Sequence, residues 1–357
     1  MNHLKTMLLA AICLATATGC ASRPTVDDGR PLDSRLLANM RAYGAAARAL
    51  RPAIVRSAGL GDGACSHQYE LPFEVVSSYG ASDENIKIAW LRTLGVTDNL
   101  TVIAADPVST LRAGDVVASI DGYHSKNRQK MAEALLAARD RGKPFALELA
   151  SGRKVMVAPL KVCRGHVLVA PPLAPTAQRY HWSESIHPLE VFGRPLSDDE
   201  AQWIVLWTQG LSEQGGARMK AYAFMVGTFK WASVLALGAG TSSAAASARG
   251  AAGTSAAGRV AAVELAGQAA SLMARSAANR ASLSGVSSVA AGVFDRADAW
   301  AAASMEKLGM DPGAGLSLHR KLVAQGAASN AFLVDEKRLA QMRVLAVGPE
   351  ARAHAVP

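Results

Sequence analysis

The first nineteen residues decide where this chain folds, and so which bonds can hold it together. Met1 to Gly19 carries a single Lys, Lys5, followed by the apolar run Met-Leu-Leu-Ala-Ala-Ile-Cys-Leu-Ala-Thr-Ala. That core is too short to span a bilayer, and small residues follow it. The pattern is that of a secretory signal rather than a transmembrane helix. Removing it leaves a mature chain from Cys20 to Pro357. At about 150 residues per domain this is room for two domains. An exported chain folds where disulfides persist. The mature chain has Cys20, Cys65 and Cys163 to use.

Ala17-Thr18-Gly19-Cys20 resembles a bacterial lipobox, with Ala17 where Leu is usual. The resemblance implies lipidation of Cys20; ordinary cleavage near Ala21 is the alternative. Ala21, rather than Asp, follows the Cys, which implies the outer membrane as address. Three fatty chains anchor far more firmly than the marginal single chain. With Cys20 used in this way, Cys65 and Cys163 are the candidates for a disulfide, and two buried free thiols are the alternative. Closing so long a loop is worth about 4–5 kcal/mol in the chain-entropy model. The formal charge is +9, one unit of it from Lys5 in the leader. No basic run is interleaved with aromatics, and the chain is exported, so nucleic acid is not the expected partner. A mildly basic lipoprotein can lie close to an anionic membrane surface.

Residues 21–32 read as a polar tether with Pro24, Gly29 and Pro31. Asp33 is a good N-cap for a helix through Arg51 with Leu36, Leu37, Met40, Tyr43 and Ala47 on one face. Pro52 is expected to end it. From 66 to 165 the order changes to short strands around one helix. Glu70–Val76, Val102–Pro107, Asp115–Gly122, Pro144–Leu149 and Lys154–Ala158 read as strands, with a helical run Arg128–Arg141 between the third and fourth. The segment before Leu94-Gly95-Val96 also reads as helical. This order resembles a bacterial PDZ domain. The likeness is carried by Leu111-Arg-Ala-Gly-Asp-Val-Val117 and Ile120-Asp-Gly122, where Gly suits tight turns. The stretch from Asp106 to Arg112 is several residues shorter than in that family. The resemblance implies a PDZ-like fold; a working carboxylate-binding groove and a mere spacer are both open. Pro171-Pro-Leu-Ala-Pro175 reads as a linker.

The second resemblance is carried by Leu196-Ser-Asp-Asp-Glu-Ala-Gln-Trp-Ile-Val-Leu-Trp-Thr-Gln-Gly-Leu-Ser212. It is similar to the active-site helix of the HtpX-like and BepA-like zinc metallopeptidases, peptidase family M forty-eight. Ser197-Asp-Asp-Glu-Ala201 keeps the family's lead-in. Where the family has two His and a catalytic Glu, this chain has Trp207, Leu211 and Thr208. The third ligand comes in the family from a downstream helix. Here Phe294-Asp-Arg-Ala-Asp-Ala-Trp-Ala301 and Met305-Glu-Lys-Leu-Gly-Met-Asp-Pro312 match it at Ala297, Asp298, Gly309, Asp311 and Pro312, with Phe294 at the ligand position. Asp311-Pro312 is expected to start the next helix, His319 to Ala324. Arg179 to Arg194 keeps none of the family's cleft-edge pattern.

Zinc needs His, Cys or carboxylate ligands, and two His at i and i+4 share a helix face with the general base between them. Trp207, Leu211 and Phe294 offer no metal-binding lone pair, and Thr208 is no base at neutral pH. The expected arrangement is a plug of these side chains where active relatives hold zinc. Asp298, which in relatives supports a ligand, either accepts a hydrogen bond from Trp207 or Thr208 or faces solvent. His67, His124, His166, His181, His187, His319 and His354 form no HxxxH pair on a helix. No G-x-S-x-G motif supports serine catalysis.

Between these motifs lies 214–293, dominated by Ala, Gly and Ser, with seven Lys or Arg from Gly215 on and one acid, Glu264. Small residues let helices pack closely, so a tight helical pair is expected. Membrane association through 221–292 and partial disorder are the alternatives, with Lys230 in the apolar stretch against a span.

The expected fold class is therefore α+β: a PDZ-like β-rich module over 66–165, then a mainly helical metallopeptidase-like domain over 166–357. The expected function is that of a catalytically inactive peptidase homologue, a binding or scaffold lipoprotein facing the periplasm. It would need no cofactor, and its partners would be envelope proteins or peptides, or an active paralogue. Two other readings stand beside it: a zinc metalloendopeptidase with relocated ligands, and a membrane-active structural lipoprotein.

Overall fold

The computed structural model describes residues 25–61, 65–81, 83–165, 167–169, 172–173, 186–187, 189–192, 194–214, 292–324 and 336–347. The signal segment, Cys20 and most of the Ala/Gly/Ser-rich stretch lie outside these, as do His166, His181, His354 and most of Arg179 to Arg194. Among the described residues, no helix is long and apolar enough to cross a membrane.

The architecture mixes helices with small, mostly antiparallel sheets. Helix α1 covers Ser34–Ser57, with the Asp33 carboxylate accepting from the Arg35 N–H at 2.8 Å. It does not stop at Pro52, which lies inside it. An interior Pro costs a helix about 3 kcal/mol. Leu50, Ala53 and Ile54 around it are buried in the core, and each fully buried Leu or Ile side chain returns about 1.5–3 kcal/mol. Tertiary packing therefore outweighs the local break.

Strands β1 (His67–Glu70) and β2 (Phe73–Val76) replace the single strand expected over Glu70–Val76. The chain breaks at Leu71-Pro72 because the two strands pair with different partners. β1 pairs antiparallel with β7 (Leu160–Cys163), and β2 with β3 (Thr101–Ala105). Helix α2 (Glu84–Leu94) stands between β2 and β3, capped by Asp83 at its start and closed by Gly95 at φ 67°. β4 (Val117–Ile120), β5 (Phe145–Leu149) and β6 (Lys154–Val157) form a three-stranded antiparallel sheet. A bridge between Thr101 and Val116 joins β3 to its edge. Asp121 and Gly122 take φ 49° and 78° in the turn after β4, the geometry Asp-Gly suits. Helix α3 (Arg128–Asp140) covers this sheet, with Asn127 as N-cap. Strands β8 (Leu168–Val169) and β9 (Ile186–His187) make a short parallel pair.

The remaining helices are α4 over 198–214, α5 over 292–307, α6 (Ala314–Ala324) and α7 (Glu336–Ala346). α6 begins five residues before His319, three past Asp311, whose carboxylate accepts from the Gly313 N–H at 2.7 Å. Three apolar clusters result. One lies under α3 and the sheet, around Phe73, Met131, Leu135 and Leu147. A second joins α1, α2 and β3 through Met40, Trp90 and Ile103. The third gathers α4 to α7 and also takes Leu50, Ala53 and Ile54. Helix α1 thus belongs to two clusters at once. The disulfide Cys65–Cys163 closes the β1–β7 pair, with Cα atoms 5.6 Å apart and a sequence separation of 98.

Candidate functional site

The positions that carry the metallopeptidase likeness lie on two helices that cross in the third cluster. On α4, Trp207 and Leu211 are four residues apart and so share a face. On α5, Phe294, Ala297, Asp298 and Ala301 repeat at three and four residues and present another. All but Asp298 belong to one apolar core, and Leu211 is 1% exposed. The Trp207 and Phe294 rings lie 5.9 Å apart at 31°. The helices approach closely because Gly210 faces Ala297: a Cβ added at Gly210 would meet the Ala297 carbonyl oxygen at 3.0 Å.

Asp298 does not face solvent. It is fully buried and takes a two-pronged bond from Arg338 of α7, Nε to Oδ2 at 2.8 Å and Nη2 to Oδ1 at 2.9 Å. The guanidinium carbon lies 5.6 Å from the Trp207 ring centre and 5.4 Å from that of Phe294. The plug is therefore not purely apolar. A cation lies beside two neighbouring aromatic rings, about equally far from each, and is held by a carboxylate in planar bidentate geometry. Burial pushes the Asp298 carboxyl up; Arg338, and the nearby Trp207 indole to a smaller degree, pull it down. Thr208 does not reach for Asp298 with its hydroxyl proton, which goes to the Ile204 carbonyl at 2.8 Å.

Around this pair the other polar groups are structural. Ser197 and Glu200 form a reciprocal cap at the start of α4, Ser197 N–H to Glu200 Oε2 at 3.0 Å and Glu200 N–H to Ser197 Oγ at 3.2 Å. The same carboxylate accepts from Ser317 and from Lys321 Nζ, each at 2.7 Å, tying α4 to α6. Burial raises the Glu200 carboxyl, but Lys321, Ser197 and Ser317 together hold it below its usual range. His319 is buried, with Nδ1 2.7 Å from the Gly315 carbonyl. A carbonyl only accepts, so Nδ1 carries the proton and Nε2 keeps a lone pair with no hydrogen-bond partner. Burial first, and the Arg338 charge second, push its pKa down to about 3. It stays neutral at any ordinary pH.

Trp207, Leu211 and Phe294 offer zinc no donor: an indole, an isobutyl and a phenyl group have nothing to coordinate with. Among the described residues, no group of three or more His, Cys, Asp or Glu is placed to hold a metal ion. His124 is exposed, and His67 lies by the disulfide, its Nε2 3.7 Å from Cys65 Sγ.

An open groove lies elsewhere, between β2 and α3, with a volume of about 390 Å³. Leu71, Phe73, Val75, Ala132 and Leu135 line its floor and walls. Arg51 of α1 reaches its edge, donating to the Leu71 carbonyl at 2.9 Å and pairing with Glu74; Glu70 is 3.9 Å away. Burial raises the Glu74 carboxyl, against the pull of Arg51. No family model, no curated protein and no solved structure matches the chain.

Proposed function

We propose that this chain is a catalytically inactive relative of the metallopeptidases it resembles, anchored at Cys20 and working as a binding or scaffold lipoprotein in the cell envelope. The observation that carries this reading is the burial of Trp207, Leu211 and Phe294 in one apolar cluster, with Trp207 and Phe294 beside the Arg338–Asp298 pair. A guanidinium beside two aromatic rings brings positive charge to the carboxylate that would support a zinc ligand in active relatives. It supplies no coordination site and no activated water. What remains is a closed core that stabilises the fold.

The binding half of the reading falls to the PDZ-like module. Its support is the sequence of β2, β3, β4, α3, β5 and β6, with one sheet edge and one helix leaving a groove between them. Clients are extended segments of envelope proteins. Zinc content and chelator-sensitive casein cleavage of the purified, unlipidated chain test the first half. Absence of stoichiometric zinc together with no cleavage is expected. Stoichiometric metal with cleavage that chelator abolishes would replace this reading with a metalloendopeptidase using relocated ligands. Membrane partition of the Cys20→Ser chain with and without residues 221–292 tests the structural-lipoprotein alternative; partition that falls on deletion would favour it.

A further inference from the structure

The groove between β2 and α3 has a polarity along its length, and the polarity selects a ligand. Two contacts at the C-terminal end of α3 place that end by β1 and Glu74, which orients the helix antiparallel to β2. Gly142 packs against the Tyr69 ring of β1, and the Arg139 charge acts on Glu74. The Arg128 end therefore lies beside Val76, Ser77 and Tyr79, which complete the lining. The charges at the two ends differ in kind. At the first end Arg51 is paired with Glu74, and Arg139 with Asp140 at 2.8 Å. A further carboxylate arriving there meets Glu74 and finds both cations already engaged. At the other end Arg128 donates to the Ser125 carbonyl at 3.1 Å and has no acidic partner among the described residues. It is the lining cation left to neutralise.

Two further features fix the form of the ligand. β2 pairs with β3 along one edge, and among the described residues no strand pairs with its other edge. Such an edge takes an added strand through main-chain hydrogen bonds. Between Arg128 and Arg139 the groove face of α3 presents Ala132 and Leu135, opposite Phe73 and Leu71. Eleven residues of helix cover about 16 Å. An extended strand advancing about 3.3 Å per residue covers that length in about five residues.

Resting on the reading of the groove as a binding site, we propose that it takes an internal extended segment of a partner protein. The segment lies antiparallel to β2, with an acidic side chain facing Arg128 and apolar side chains two and four positions later. Antiparallel pairing is the more stable ladder, and alternate residues share one face, so the motif is acid-x-apolar-x-apolar. The segment continues past the Glu74 end instead of finishing there, because a chain-terminal carboxylate would meet Glu74.

The test uses the full chain carrying Cys20→Ser and three fluorescein-labelled peptides read by anisotropy. These are D-S-V-T-L-S-G with an amidated end, its K-S-V-T-L-S-G counterpart, and D-S-V-T-L ending in a free carboxylate. The first is expected to bind at least tenfold more tightly than the other two. Arg128→Glu is expected to reverse the order of the first two, with the far-ultraviolet circular dichroism of the variant unchanged. Equal affinity for the acidic and basic peptides, no response to Arg128→Glu, or preference for the free carboxylate would overturn the ligand assignment while leaving a binding groove. Ala132→Trp, which fills the groove, separates the two levels. If no peptide binds, or if binding survives Ala132→Trp, the groove is not the binding site and the underlying reading fails with it.

Discussion

Two arginine–carboxylate pairs among the described residues sit in opposite kinds of place. Arg51 with Glu74 borders an open groove; Arg338 with Asp298 lies in a closed core beside two aromatic rings. Glu74 keeps a third of its side chain exposed, whereas Asp298 has none. Water can take over from Arg51 if it is removed, but nothing can take over from Arg338. The same ion pair is thus a tunable rim in one half and a structural commitment in the other. A module that keeps an opening must leave its charges near solvent. A closed core must satisfy its polar groups internally.

Four changes test this contrast. Reduction of Cys65–Cys163 acts only on the grooved half and is expected to cost the most, about 4–5 kcal/mol in the chain-entropy model for a loop of this length. Urea unfolding with and without reductant checks it, and the early transition should be that of the β1–β7 region. Arg338→Ala leaves Asp298 charged and unpaired in the core, which costs about 3–5 kcal/mol. Arg51→Ala should cost clearly less, because Glu74 can turn to water. Equal losses in the two variants would mean that the groove edge is as closed as the core. The double variant Arg338→Met with Asp298→Leu is expected to recover most of the loss of Arg338→Ala, since a packed apolar pair can replace a buried ion pair.

His319 sharpens the comparison through pH. Its folded pKa, about 3, lies below the unfolded value of about 6.5. The unfolded chain therefore binds the proton first, and stability rises with pH across that window. Going from pH 7 to pH 4 should remove roughly 3 kcal/mol through this group alone. His319→Leu should flatten the curve of unfolding free energy against pH by that amount, after allowance for a constant offset. A variant curve parallel to the parent's would show that the imidazole titrates in the folded state.

The two halves also differ in how far the sequence discloses them. The grooved module announces itself by short-range signals. Asp83 and Asn127 are caps, Gly95 and Gly122 take positive φ, and Phe145, Leu147 and Leu149 alternate inward along β5. Each is local, so strands and helices can be placed with no knowledge of their partners. The exceptions are long-range. Pro52 fails to end α1 because two clusters hold the helix from outside, and β7 has its reason in β1, far away in the chain. The closed core is legible only in part. Trp207, Leu211 and Phe294 could be expected to pack as apolar side chains; all three are buried in one cluster, with the Trp207 and Phe294 rings 5.9 Å apart. Arg338 could not be foreseen, since its partner lies forty residues away and α7 carries no motif. One signal was present: Asp298 sits on the otherwise apolar face of α5, and a buried acid requires a cation. That signal calls for a cation without naming it, because Arg320 and Lys321 of α6 lie nearer in the chain than Arg338.

Glu200 lets the two kinds of charge be compared within one residue. It is a cap, closing the first turn of α4 through Ser197, and it is also a buried anion that Lys321 and Ser317 bind from α6. Its folded pKa is held below the unfolded value of about 4.5. Its contribution is therefore complete above that value and disappears as pH falls through the folded pKa. Glu200→Gln keeps the shape and a capping oxygen but removes the charge that Lys321 needs. A loss of about 1–2 kcal/mol at pH 7 follows, the size of a hydrogen bond to a charged group. Lys321→Met should cost less, because the carboxylate keeps its other donors while the half-exposed ammonium gives up little. If the Lys321 change proved the costlier of the two, the pair would be acting mainly as a clamp between α4 and α6, and the cap would be secondary.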